Sequence, residues 1–238
     1  MQDWQQRTGL LLGEEALQRL WSAHVVLFGL GGVGSYTAEA LARAGIGHLT
    51  IVDNDTVSVS NINRQLPALH STVGRLKTEV VAQRLKDISP GMRVTPLSAF
   101  YLPEQPVALP DDCTAVADAI DTISAKLHLA GTCMERQIPL ISCMGVGNRL
   151  DPTAIKIGDV FETQNCPLCR VMRRELRKRG VASLRCVYST EAAVSQPRVE
   201  GEKRIGSLSY VPSVAGLYLA YQVVTAVLTG DFAPQKQA

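Results

Sequence analysis

The chain has 238 residues, 46% of them hydrophobic, and 24 Lys and Arg against 22 Asp and Glu leave a net charge of +2. That length can bury a sizeable core in one large α/β domain or two small ones, and the near-balance of charge excludes a global basic field, so any nucleic-acid surface must be local. The polar start Met1-Gln2-Asp3-Trp4-Gln5-Gln6 lacks the pattern of a secretory signal, and six scattered cysteines read as free thiols, which together place the protein in the cytoplasm.

Residues Gly13 to Leu20 have the spacing of a short amphipathic helix. A short apolar run follows, Val25 to Phe28, and breaks into Gly29-Leu30-Gly31-Gly32-Val33-Gly34 before a helical pattern from Ser35 to Ala44. Strand, glycine turn and helix in that order form a phosphate cradle: backbone N–H groups approach a pyrophosphate closely, and the helix N-terminus adds positive potential. Alone, the spacing says nucleotide and not which one. Leu49 to Asp53 reads as a second strand, ending in an acid nineteen positions after Gly34, the offset of a ribose-binding carboxylate. Thr56 to Thr72 has no period and is rich in Asn, Ser and Pro, as functional loops are.

Helical spacing returns from Gly74 to Asp87 and stops at Ser89-Pro90-Gly91. Strands are expected at Val94 to Leu97, Thr114 to Asp121 and Pro139 to Cys143, with a helix from Ser124 to Arg136. This alternation predicts an α/β, Rossmann-like, mostly parallel sheet with helices on both faces. Gly29, Asp53, Asp121 and Gly145 would then converge beyond the strand ends. Past Asp151-Pro152 come a strand (Ala154 to Val160), a basic helix (Pro167 to Arg179) and a strand (Leu184 to Ser189). With no linker and no repeat, residues 1–238 read as a single domain whose C-terminal elaboration begins at about residue 151. Ile205 to Gly230 carries no charge, but its best helical part, Val214 to Leu228, is short for a membrane span and holds polar residues nearby. It reads as a buried core or subunit-interface helix; membrane insertion is not expected, and peripheral association stays open.

Asp53-Asn54-Asp55 puts two acids where phosphates would lie, which asks for a cation or a ribose between them. Asn61-Ile62-Asn63-Arg64-Gln65 supplies a guanidinium fork and two kinds of amide, and Lys77 follows on the next helix. A triphosphate needs Arg and Lys; a nicotinamide site rarely does. Asp121 is placed to hold Mg²⁺ on the phosphates. Taken singly, Arg64 and Lys77 also read as surface residues, and Asp118 as a cap of the following turn; their joint occurrence at strand ends favours a site.

Gly-x-Gly-Gly-x-Gly, Asp-x-Asp, Asn-x-Asn-Arg-Gln, the helix lysine and Asp-Ala-Ile-Asp-Thr together resemble the ATP site of the ubiquitin-activating-type (ThiF/MoeB) adenylating superfamily. Within it the chain is similar to the branch that dehydrates threonylcarbamoyladenosine in tRNA. Gly29 to Val73, Pro139 to Ser142, Asp151 to Thr153 and Ser189 to Glu191 carry that likeness. The resemblance implies a ThiF-type ATP-binding adenylation domain, with Gly29, Gly31, Gly32 and Gly34 as the cradle and Asp53 on the ribose. Asn61, Arg64 and Lys77 would bind and polarise the triphosphate, Asp55 and Gln65 would stand in the same nucleotide site, and Asp121 would bind Mg²⁺. Arg7 resembles the arginine that this superfamily inserts into the partner subunit's site, which implies a homodimer. The implied reaction is adenylation of the threonyl carboxylate by ATP, followed by ring closure on a nitrogen of the same modification.

Sulfur-carrier activators of the same superfamily, which adenylate a C-terminal Gly-Gly, often hold zinc with two Cys-x-x-Cys pairs. Here Cys166-Pro167-Leu168-Cys169 is one pair, and Cys186 is the sole later cysteine. It reads as two ordinary thiols, or as a metal or redox pair completed by Cys143 or Cys186; sulfur-transfer proteins are carried as further candidate partners. Arg170, Arg173, Arg174, Arg177, Lys178 and Arg179 place six positive charges in ten residues, a solvated face or a tRNA phosphate contact.

Overall fold

The computed structural model describes residues 3–194 and 205–230. Seven strands form one sheet: β1 (His24–Phe28), β2 (His48–Val52), β3 (Arg93–Leu97), β4 (Cys113–Asp118), β5 (Leu140–Cys143), β6 (Ile155–Asp159) and β7 (Arg185–Ser189). Their order is β3-β2-β1-β4-β5-β7-β6, and only β6 runs antiparallel, against β7. All five residues of β1 are buried, which is what a central parallel strand covered on both faces requires of the run His-Val-Val-Leu-Phe. Chain order reverses between β1 and its two neighbours β2 and β4, which opens a crevice at the carboxyl ends of these strands.

Side chains alternate between the two faces. Val25 and Leu27 of β1 join a core covered by α2 (Glu14–Ser22), α3 (Gly34–Ala44), α4 (Lys77–Ile88) and the last helix, α7 (Tyr210–Thr229). Val26 and Phe28 face α5 (Ile123–Glu135) and the segment after β3, while α6 (Pro167–Lys178) packs with α5 on the β7 side. The fold is therefore Rossmann-like with helices on both faces.

α7 is long and apolar enough to cross a membrane by length and composition, but half of its most apolar window is buried. Val211, Ala215, Leu219, Val223 and Ala226 form its core stripe. Gly216 lets it seat on the Val33 carbonyl, and Thr37 Oγ1 of α3 donates to the Gly216 carbonyl at 3.0 Å.

Several features differ from the pattern reading. The helix expected from Gly74 starts at Lys77, because Gly74 is left-handed (φ +87°) and Val57 N–H donates to the Arg75 carbonyl, pinning an extended arm. The strand expected to reach Asp121 ends at Asp118. A helix not anticipated, α1 (Gln6–Leu12), precedes α2 and exposes Leu10 and Leu11, each 87% accessible.

At the amino ends of β1 and β2, opposite the crevice, His24 and His48 stack with ring centroids 3.4 Å apart, and His48 pairs with Thr95 Oγ1. Partial burial, the neighbouring His24 and the Arg93 charge push the His48 pKa down from 6.5 to about 4. The unfolded chain therefore takes up a proton near pH 6.5 that the folded chain refuses until about pH 4. Melting temperature is expected to fall as pH drops through that window and to be insensitive to this group above it. His48→Asn should flatten the slope; an unchanged slope would show that other groups set it.

Candidate active site

Above the carboxyl ends of β1, β2 and β4 lies a cavity of about 390 Å³. The glycine turn forms one wall. Gly29 sits at φ +86°, and a Cβ there would lie 2.7 Å from the Ala119 carbonyl oxygen, so the first turn residue must be glycine for β1 and β4 to close on each other. A Cβ at Gly31 would meet only Gln65 Nε2, at 3.9 Å; the bare backbone faces the cavity, as a phosphate cradle requires. Gly32 rests on Pro212 of α7, where a Cβ would come within 3.1 Å. Gly34 does not line the cavity: it is buried as the first residue of α3, where a Cβ would collide with the Gly29 carbonyl oxygen. Its part is to let the helix approach the turn.

Asp53 stands one residue past β2 and braces the turn. Its Oδ2 accepts from Leu30 N–H at 2.6 Å and its Oδ1 from Asp55 N–H at 2.8 Å. Asp55 in turn holds Lys77: Nζ to Oδ2 is 2.7 Å, with the Lys77 side chain 5% exposed and Asp55 61%. Asn61 caps its own short turn by accepting Ser58 N–H, and Arg64 donates to the Ser60 carbonyl (2.9 Å) and Asn63 Oδ1 (2.8 Å). Gln65 is buried against the glycine turn with its Oε1 unpartnered among the described residues. Asp121 is exposed at the cavity rim, three residues beyond β4, and its nearest polar contact is a long one from Thr122 Oγ1, 3.4 Å.

Ten of the residues singled out from sequence thus meet on one cavity: Gly29, Gly31, Gly32, Asp53, Asp55, Asn61, Arg64, Gln65, Lys77 and Asp121. Arg7 does not; it is exposed on α1 and outside the lining. The far wall, Ala99, Phe100 and Tyr101, comes from a segment without hydrophobic period, so no sequence signal marked it. Tyr101 packs edge-on to Phe28 and pairs with His128 Nδ1 at 2.8 Å, and burial raises its phenol to about 12.

Asp118 does cap the following turn, but it also belongs to a fully buried ion pair with Lys126, which pattern reading missed. The signal was present: Lys126, Leu129, Ala130 and Cys133 lie at helical spacing on the buried stripe of α5, and a lysine there demands a partner.

The basic helix is less open than its charge run suggests. Arg173 turns inward to the carbonyls of Val160 and Thr163 and to Thr163 Oγ1, so it does not share the outer face expected of it. Arg177 lies over the Phe161 ring, 5.3 Å from its centre, and Arg174 and Lys178 both pair with Glu175. Arg170, Arg174, Arg177 and Lys178 remain exposed. Cys166 and Cys169 are buried at the start of α6 with Cys186 beside them. Its hydrogen bond with Cys169 and burial push the Cys166 thiol up, and Cys186 and burial outweigh the Cys166 contact to leave Cys169 at about 11. These are protonated core thiols. Among the described residues the one group with three metal-ligating atoms within 4.8 Å is His24, His48 and Asp112, away from this cavity, where the His24 ring is held by Asp112 and Thr50.

A glycine turn between a parallel strand and a helix, carboxylates on two strand ends and an Arg/Lys pair over one cavity define a nucleotide-binding α/β protein built to handle phosphates. The chain belongs to the ThiF family, whose model matches residues 5–237. It is 40% identical to the tRNA threonylcarbamoyladenosine dehydratase of Bacillus subtilis over 238 aligned residues, covering 93% of each chain. It superposes on the crystal structure of the Escherichia coli tRNA N6-threonylcarbamoyladenosine dehydratase in complex with AMP with a TM-score of 0.85, at 35% identity and 97% coverage of both chains. The same Escherichia coli enzyme in complex with ATP gives 0.85 at 36% identity, again with 97% coverage of both.

Proposed function

We propose that this chain is an ATP-dependent enzyme that dehydrates N6-threonylcarbamoyladenosine in tRNA through an acyl-adenylate. The observation that carries the reading is the convergence of Arg64, Lys77 and Asp121 on a glycine-walled cavity, in a chain that matches such dehydratases along almost its whole length. The threonyl carboxylate attacks the α-phosphate of ATP and pyrophosphate leaves. A nitrogen of the same modification then closes on the activated carbonyl, and AMP departs with the carboxylate oxygen. Ring closure is intramolecular, so it needs no nucleophilic cysteine, in keeping with the protonated core thiols of α6.

Within this reading the backbone of Gly29 to Gly32 cradles the phosphates, and Asp53 meets the ribose. Arg64 and Lys77, with Asn61 and Gln65 beside them, carry the charge that develops on the leaving pyrophosphate. Asp55 holds Lys77 in place. Asp121, exposed and almost without internal partners, fits a hard cation, and Mg²⁺ bound there would neutralise phosphate charge. Arg7 completes the partner subunit's site in a homodimer: it shares a face of α1 with Leu10 and Leu11, whose exposure suits a covered surface. Residues 1–238 act as one adenylation domain, with the part from about residue 151 supplying dimer and tRNA surfaces, in the cytoplasm.

The test incubates the protein with ATP, Mg²⁺ and tRNA bearing the modification, then digests the tRNA and weighs the nucleosides. A product lighter by one water is expected. Pyrophosphate exchange that appears only with a Gly-Gly-tailed carrier protein would overturn the reading in favour of sulfur-carrier activation.

The exposed charges of α6 are assigned to tRNA phosphates. Arg174→Glu combined with Arg177→Glu is expected to weaken tRNA binding about tenfold or more at moderate salt and to flatten its salt dependence, with ATP affinity unchanged. Unchanged tRNA affinity would remove α6 from the interface.

A further inference from the structure

Behind the cavity floor lies a charge pair that the chemistry above does not use. Lys126 and Asp118 are both 0% exposed, with Nζ to Oδ2 at 2.8 Å. Lys126 Nζ also donates to the Cys143 carbonyl at 2.7 Å, and Ser142 Oγ donates to the same Asp118 Oδ2 at 2.8 Å. One carboxylate oxygen is therefore saturated by α5 and β5. The other, Oδ1, accepts Ile120 N–H at 3.0 Å and so holds the turn that leads to Asp121.

That turn bears directly on the nucleotide wall. Ala119 N–H donates to the Phe28 carbonyl at 2.8 Å, and the Ala119 carbonyl oxygen occupies the space a Cβ of Gly29 would need. Ala119, Ile120 and Asp121 all line the cavity. A shift of Asp118 is thus transmitted in one step to Asp121 and to the first glycine of the cradle.

Stability alone is weak grounds for such a pair. Desolvating two charges offsets most of their attraction, and a well-packed apolar pair in such a place is often as stable or more so. What an apolar pair lacks is a fixed acceptor for Ile120 N–H, tied simultaneously to two neighbouring elements. We propose that Lys126, acting through Asp118 with Ser142, is a positioning residue for adenylation: it sets the place of Asp121 and of the Gly29 turn relative to the α-phosphate. This rests on the adenylation reading above. A misplacement of about 1 Å at a reacting centre costs on the order of a hundredfold in rate.

The test is the double variant Asp118→Leu/Lys126→Met, which keeps the buried volume filled and removes both charges. Four quantities are read on it: melting temperature, hydrogen–deuterium exchange of the peptide containing Ile120 with ATP bound, and kcat and KM for ATP in tRNA dehydration. A melting temperature lower by several degrees is expected, because Ser142 Oγ, the Cys143 carbonyl and Ile120 N–H each lose a buried partner. Ile120 should exchange about tenfold faster, and kcat should fall by about 30-fold or more with KM for ATP changed less than threefold. A merely structural pair would leave kcat at its parental value in the folded variant however fast Ile120 exchanges, and a parental kcat overturns the proposal. Should the double variant not fold, Ser142→Ala removes one donor to Asp118 at little cost in volume; a kcat lower by about fivefold at unchanged melting temperature is expected, and a parental kcat overturns the proposal. If the parent protein itself leaves the tRNA unaltered, the dehydratase reading falls, while Ile120 exchange still decides whether the buried pair holds the turn.

Discussion

Arg64→Ala and Asp121→Ala are each expected to lower kcat for tRNA dehydration by a factor of about 100 to 1,000, with melting temperatures within a few degrees of the parent. Neither side chain supports the core. Among the described residues Arg64 bonds within its own loop, to Ser60 and Asn63, so its loss removes about 1 kcal/mol of local structure. Asp121 is exposed and gives up one long contact with Thr122. Both lie where pyrophosphate charge must be met, and charge met only in the transition state appears in kcat rather than in KM. Arg64→Lys should recover only part of the loss, because an ammonium keeps the charge and not the two-pronged donor geometry. The measurement is steady-state dehydration alongside thermal melting. More than a tenth of parental turnover in either alanine variant would mean that the triphosphate lies elsewhere in the cavity.

The second large effect concerns Arg7. Arg7→Ala and Asp121→Ala homodimers should each be close to inactive. Mixed dimers should regain one working site, because the Arg7→Ala subunit keeps its own Asp121 and receives an intact Arg7 from its partner. With random reassociation about half of the dimers are mixed and each has one of two sites, so about a quarter of parental activity should return. Its absence, in a mixture shown to contain mixed dimers, would place Arg7 outside the site. Nothing in a single chain substitutes for this experiment, since Arg7 lies outside the lining of its own subunit's cavity.

The order of strands and helices was readable because the parallel sheet leaves a strong trace: β1 holds the apolar run Val25 to Phe28, β2 a short buried run apolar but for Thr50, and the helices that alternate with the strands repeat at 3.6 residues. The cavity was readable where chemistry restricts residue type, as with Arg64, Lys77 and the strand-end acids. It was not readable where shape alone decides. Tyr101 lies in a segment with no period and is set at the cavity by its packing on Phe28 and its pairing with His128. Gly34 fitted the cradle spacing, yet its glycine is demanded by helix-to-turn packing. Arg173 counted as one more positive charge in α6, and only tertiary structure turned it toward Val160 and Thr163. Sequence distance also hid the network behind the floor, whose members Asp118, Lys126 and Ser142 belong to three successive elements.

The seating of α7 on the glycine turn has a consequence for how the protein is made. Every described strand and every other described helix is translated before α7, yet Gly32 rests on Pro212, and Gly216 on the Val33 carbonyl. Until α7 has left the ribosome, the face of the sheet that it covers stays wet and the phosphate cradle has no backing. A growing chain therefore carries all the residues that would touch the triphosphate well before it has a surface rigid enough to hold one. Nucleotide capture then waits for α7, and ATP would act on this protein as a clamp on an already packed sheet rather than as a template for an emerging one.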